Sequence, residues 1–126
     1  MGRTKQREEI VKLLYLHSMN GFYAEGEFSL DNERKVAAVM PFLPEIDKLI
    51  SSCLVNYTID RLNYVDLAII RYAVYEMQHT DVPYEIAINE AVELTKKYSN
   101  LDDDKAKAFN NRLLDNIKAK LKTEKG

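Results

Sequence analysis

Residues 82–98 read VPYEIAINEAVELTKKY, and their spacing is that of a helix with one apolar side. At about 100° per residue, Ala87, Ile88, Ala91, Val92, Leu94, Thr95 and Tyr98 fall in one broad arc. Asn89, Glu90, Glu93, Lys96 and Lys97 fill the remainder. Pro83 suits the first helical position, where its missing N–H removes no helix bond. Glu93 and Lys97 stand at the spacing of a favourable i,i+4 ion pair. Spacing alone establishes a half-buried helix and no function.

Helical spacing continues on both sides, and no segment alternates with period two, so the chain is predicted to be all-α. A first helix is expected over residues 4–20, before a loop opened by Gly21. A second is expected over residues 30–40, where Pro41 and Pro44 break or kink the path. Ile46, Leu49, Ile50, Cys53, Leu54 and Tyr57 give a third, followed by a short connection at 61–64. Residues 65–77 are apolar except for Asp66, Arg71 and Glu76, the pattern of a central, buried helix. A turn at 80–83 leads into the helix quoted above. Asp102, Asp103 and Asp104 mark the start of a last helix, where carboxylates meet the positive dipole end. Ala106, Phe109, Asn110, Leu113, Leu114, Ile117 and Leu121 form its inner stripe, and the tail 122–126 is expected to fray.

The 126 residues suit one domain spanning 1–126. Apolar residues make up 46% and charged residues 30%, which excludes a disordered chain or a membrane protein. No apolar run approaches the roughly 18 residues that span a bilayer, and the N-terminus has no signal-peptide apolar region. A lone Cys53 forms no internal disulfide, which fits a reducing, cytoplasmic setting. The net charge of −2 argues against indiscriminate nucleic-acid binding, so any such site is a local patch.

Arg3, Arg7, Ile10, Leu14 and His17 form one helical stripe, basic at its start and apolar afterwards. The helix is expected to project beyond the core, presenting two guanidiniums with Lys5 beside them. Guanidiniums pair with phosphates and stack on unstacked bases. A solvated helix start is the plainer reading. His17 continues the stripe and is expected to pack in the core, as is the Cys53 thiol. Lys107, Asn111 and Lys118 line a polar side of the last helix. No CxxC, HExxH, GxGxxG or P-loop motif occurs, and the aspartates at 102–104 lack EF-hand spacing. Catalysis, a cofactor and a metal site are therefore not expected.

Four stretches resemble the NusB family of bacterial RNA-binding transcription factors. The helix at 82–98 is similar to the family's VP-x-x-VAINEAVELAKKY. RLNYVDLAIIRYAVYEM at 61–77 resembles RL-x-x-VDR-x-ILRLA-x-YEL. REEIVKLLY at 7–15 resembles R-x-x-AVQ-x-LY, and FNNRLLDNI at 109–117 resembles FVNGVLDKI. The resemblance implies two packed three-helix bundles and a transcription antitermination or termination factor. It implies single-stranded boxA-type RNA as ligand, a small-subunit ribosomal protein (NusE) as partner, and the RNA polymerase elongation complex as an indirect one. On that pattern Arg3, Lys5, Arg7, Lys107, Phe109 and Asn111 would contact RNA, and Tyr15 and Asp66 the partner. Arg71 and Glu76 are expected to join the bundles through ion pairs. This chain departs from the pattern in a thinner arginine cluster, in Asn110 for valine and in Arg112 for glycine. Tyr57 and Thr58 stand near the usual tryptophan. A helical interaction module without RNA binding is the alternative. A helix-turn-helix DNA binder is a third reading, opposed by the acidic start of EIAINEAVELTKKY.

Overall fold

The computed structural model describes residues 2–99 and 104–125. Among the described residues six α-helices follow one another: α1 (Arg3–Ser18), α2 (Leu30–Val39), α3 (Leu43–Cys53), α4 (Tyr64–His79), α5 (Tyr84–Tyr98) and α6 (Lys105–Lys125). Short 3-10 turns occupy Met40–Phe42 and Ile59–Arg61. The described residues contain no strand, as the spacing predicted.

Helix α4 is the centre. Leu67, Ala68, Ile69, Ile70, Ala73, Val74 and Met77 are all buried on it, because its apolar residues leave no continuous polar face. It packs against α1, α3, α5 and α6. Every pair among α4, α5 and α6 is in contact, which makes the second bundle. In the first half α1 lies on α2, and α2 reaches α3 through the Met40–Phe42 turn. The halves share one apolar core in which Leu13, Val39, Ile46, Ile50, Ile70, Leu114 and Ile117 are fully enclosed. Truncating any of the larger ones to alanine costs about 2–5 kcal/mol.

Two arginines join the halves. Arg7 of α1 donates from Nε and Nη2 to the two carboxylate oxygens of Glu76 on α4, both at 2.7 Å. Its Nη1 donates to Glu90 of α5 at 3.1 Å. Arg71 of α4 grips Asp47 of α3 at 2.8 and 2.7 Å and donates to the Ser18 hydroxyl at 3.0 Å. The expected bridging role of Arg71 and Glu76 is therefore observed.

Several local expectations change. Pro83 is the residue before α5, in extended conformation, and its carbonyl accepts from Ile86 and Ala87. Its fixed φ serves the cap rather than the first turn. The interruption expected at Pro41 and Pro44 is present: α2 ends at Val39, Pro41 sits in the 3-10 turn, and Pro44 lies in the first turn of α3, where no N–H is needed. Helix α3 consequently starts and stops earlier than predicted, leaving Leu54 and Tyr57 in the connection. Lys97 reaches Glu8 of α1 at 3.1 Å instead of Glu93, which pairs with Lys96 at 3.6 Å. His17 is exposed, because the last turn of α1 runs past its packing partners. Helix α6 continues through most of the tail expected to fray, to Lys125. Asp102 and Asp103 lie outside the described residues. Asp104 accepts the first helical bond of α6 from Ala108 at 3.0 Å, with φ of 66°.

Candidate nucleic-acid interface

The start of α1 offers fewer free cations than its sequence suggests. Arg3 and Lys5 are exposed, but Arg7 is only 8% exposed, and its guanidinium is taken up by Glu76 and Glu90. The hydrogen bonds to Glu76 raise its pKa further above the ordinary arginine value. Arg7 is thus an internal strut, its guanidinium engaged by two carboxylates of the same chain rather than free toward solvent. Sequence spacing put it on the apolar stripe, and the structure keeps it there.

Lys5 borders a groove of about 450 Å³ whose rim is mixed in charge, with Glu8, Glu9 and Glu27 facing Lys12 and Lys97. Glu8 is engaged by the Tyr98 hydroxyl, by Lys97 and by Lys12. The Tyr98 hydrogen bond, then the lysines, hold its carboxyl below the usual carboxylate range. The Lys12 and Lys97 ammonium groups also lie 5.6 and 5.3 Å from the centre of the Tyr98 ring.

The α6 candidates divide between two flanks. Lys107 and Asn111 are each two residues from Phe109, about 200° around the helix. Lys107 is half-buried and Asn111 exposed. Lys118, on the same side, pairs with Glu85 of α5 at 2.9 Å. Phe109 points the other way, toward the connection after α3. It is 39% exposed, and its ring meets Tyr57 at 5.5 Å between centres, tilted by 54°. The Arg61 guanidinium lies 5.0 Å from the Tyr57 ring centre, and the Tyr57 hydroxyl donates to the Arg61 carbonyl at 3.1 Å. Arg112, Asn116 and the half-buried Cys53 complete the walls of a cleft of about 140 Å³ beside these rings. Cys53 is therefore less enclosed than expected.

This cleft combines two tilted aromatic faces, the Arg112 guanidinium, the Asn116 amide and the apolar Leu54, Val55 and Leu113, with the Arg61 guanidinium against the Tyr57 ring beside it. Aromatic faces and guanidinium planes stack unstacked bases, and guanidiniums also bind phosphate. Of its parts only Phe109 was singled out as an RNA contact from sequence. Spacing assigns Tyr57 to the apolar stripe of the third helix and Arg61 to a short connection, whereas both lie in the connection after α3, Arg61 in its 3-10 turn.

The two candidate partner residues lie deeper. Tyr15 is half-buried against the core. Asp66 is buried at 8% exposure and bonds within the chain, accepting from Asn63 at 2.8 Å and from Asn110 at 3.0 Å. Among the described residues no group of three or more histidine, cysteine, aspartate or glutamate side chains is placed to hold a metal ion. No described helix is long and apolar enough to cross a membrane.

Fold and site together define an all-α protein built around one central helix, with cationic and aromatic chemistry at the start of α1 and α6. The chain belongs to the NusB family, whose sequence model matches residues 4–119. It is 40% identical to the transcription antitermination protein NusB of Thermoanaerobacter sp. (strain X514), over 90% of this chain and 88% of that one. It is 36% identical to the protein of the same name from Bacillus subtilis (strain 168), over 94% and 96%. Among solved structures, T. maritima NusB superposes with a TM-score of 0.76 at 28% identity, covering 93% of this chain and 90% of that one. A chain in the structure described as "Crystal Structure of a Plectonemic RNA Supercoil" gives 0.79 at 24% identity, covering 97% and 99%, a likeness of fold.

Proposed function

We propose that this chain is a transcription antitermination or termination factor that binds a short single-stranded RNA of boxA type together with the ribosomal protein NusE. The observation that carries the reading is the Tyr57–Phe109 pair, flanked by Arg61 and Arg112. An unstacked base needs an aromatic face, and the strand's phosphates need guanidiniums within reach. Arg3 and Lys5 supply further exposed cations, and Lys107 and Asn111 lie on the other flank of α6. Nothing in this work is catalytic. The protein positions RNA relative to the elongating polymerase.

The net charge of −2 and the capture of Arg7 by two glutamates leave few phosphate contacts, so RNA affinity is modest without the partner. A basic ribosomal protein beside the cleft extends the positive surface along the strand. Coupling between the two ligands of about 1–3 kcal/mol is typical for linked sites, and it works equally in both directions. The same shortage of free cations favours the second reading, a helical protein-interaction module without RNA binding.

The test is a titration of labelled boxA-type RNA against this protein, with and without saturating NusE. Tyr57→Ala and Phe109→Ala are each expected to cost about 1–3 kcal/mol of RNA affinity. Undetectable RNA binding in both titrations, with intact NusE binding, would leave the interaction-module reading in place.

A further inference from the structure

Asn110 is a polar side chain where the core calls for an apolar one. It is fully buried in α6, next in sequence to Phe109. Its Nδ2 donates to Asp66 at 3.0 Å and to the Thr95 hydroxyl at 3.1 Å. Its Oδ1 has no partner among the described residues. A leucine would bring no unpaired acceptor of its own, but it would take the donor from Asp66 Oδ1, so the site is built around that bond rather than around apolar filling. A residue that violates local packing preference points to a role other than packing.

The bonds around Asn110 close into a ring. Asp66 takes Asn110 on one carboxylate oxygen and Asn63 on the other. Asn63 also caps α4 by accepting from the Asp66 amide at 2.7 Å. Two residues before Asn63 is Arg61, whose carbonyl holds the Tyr57 hydroxyl and whose guanidinium covers the Tyr57 ring. Tyr57 meets Phe109, and Phe109 adjoins Asn110. The start of α6 and the connection between α3 and α4 are distant in sequence. This circuit of hydrogen bonds, one aromatic contact and short stretches of chain ties them at the two aromatic side chains.

We propose that Asn110 and Asp66 are positioning residues, which fix α6 against residues 57–63 and so hold Phe109 and Tyr57 at the spacing that receives an RNA base. This rests on the RNA reading above. Both Asp66 oxygens are used inside the chain, so the acid acts through the rings it positions.

The experiment compares Asn110→Leu, Asp66→Ala and Thr95→Val in the full chain. Thr95→Val removes a bond to Asn110 but leaves the ring of contacts closed, so it controls for loss of stability alone. Asn110→Leu and Asp66→Ala are expected to weaken boxA-type RNA binding about 3- to 10-fold, part of one base stack. The dependence on salt should stay unchanged, because no phosphate contact is lost. Nuclear Overhauser contacts between the Phe109 and Tyr57 rings should weaken in both and persist in Thr95→Val. Ring contacts and RNA affinity that survive Asn110→Leu would overturn the proposal, as would a Thr95→Val protein that loses affinity equally. If Phe109→Ala leaves RNA affinity unchanged while Asn110→Leu disperses the rings, the RNA reading falls, and the proposed purpose of the ring falls with it.

Discussion

Arg7→Met keeps the aliphatic bulk of the side chain and removes its charge, leaving Glu76 buried without a cation. In the native chain the Arg7 side chain is 9% exposed and that of Glu76 5%, and two hydrogen bonds of 2.7 Å join them. Removing one partner of a buried pair costs about 3–5 kcal/mol, most of it from the abandoned charge. For a chain of this length the loss lowers Tm by roughly 10–20 °C. The assay is thermal unfolding followed by circular dichroism, with Glu76→Leu and the double variant alongside. Because both charges are then gone, Arg7→Met/Glu76→Leu should recover most of the loss. RNA binding by Arg7→Met, measured well below its Tm, should change little. A Tm within about 3 °C of the parent, joined to a fall in RNA affinity, would refute the strut and return Arg7 to the RNA surface.

Three further outcomes follow from the same geometry. Arg71→Ala removes a bidentate contact to Asp47 and should cost about 1–3 kcal/mol of stability in denaturant titration. A stability unchanged by Arg71→Ala would show that apolar packing alone joins α3 to α4. Glu8 has a lowered pKa, so its contribution is present above the unfolded value near about 4.3 and is lost as pH falls through the folded one. The parent should therefore lose stability in acid that Glu8→Gln does not, and parallel acid profiles would show that the Glu8 contacts to Lys97 and Tyr98 do not hold α1 to α5. Burial raises the Tyr72 hydroxyl to about 12. Its contribution is full below the ordinary value near about 10 and is lost as pH rises through 12. A phenolate absorbance titration of the parent and Tyr72→Phe should differ by one late tyrosine, and a difference centred near pH 10 would contradict the burial.

Much of the fold was legible because its signals are local. Ala87, Ile88, Ala91, Leu94 and Thr95 are buried where the arc at 82–98 placed them. The nearly all-apolar run at 65–77 became the helix on which α1, α3, α5 and α6 pack. Arg71 and Glu76 could be read as bridging charges because a charge in such a run needs a partner. The identity of the partners could not be read. Glu76 lies 69 positions from Arg7, and a stripe tells which face a residue occupies without telling which charge it meets. The Tyr57–Phe109 cleft escaped for the same reason, since its halves come from the connection after α3 and from a distant helix, and spacing placed Tyr57 in a helical stripe instead. Lys97 chose Glu8 over Glu93 because α1 lies close enough to compete with a neighbour on its own helix.

The central place of α4 also has a consequence for synthesis. Ile10, Leu13, Leu14, Val36, Val39, Ile46 and Ile50 belong to the half made first, and α4 is a main part of the surface that covers them. From the end of α3 at Cys53 to the end of α4 at His79 the ribosome adds another 26 residues. At about 5–20 residues per second, that leaves the nascent apolar surface open for roughly one to five seconds. A stalled chain ending at residue 60 should be cleaved readily by protease. One extended far enough to release α4, α5 and α6 should resist, because α4 covers α1 and α3 while α6 completes the cover over α3.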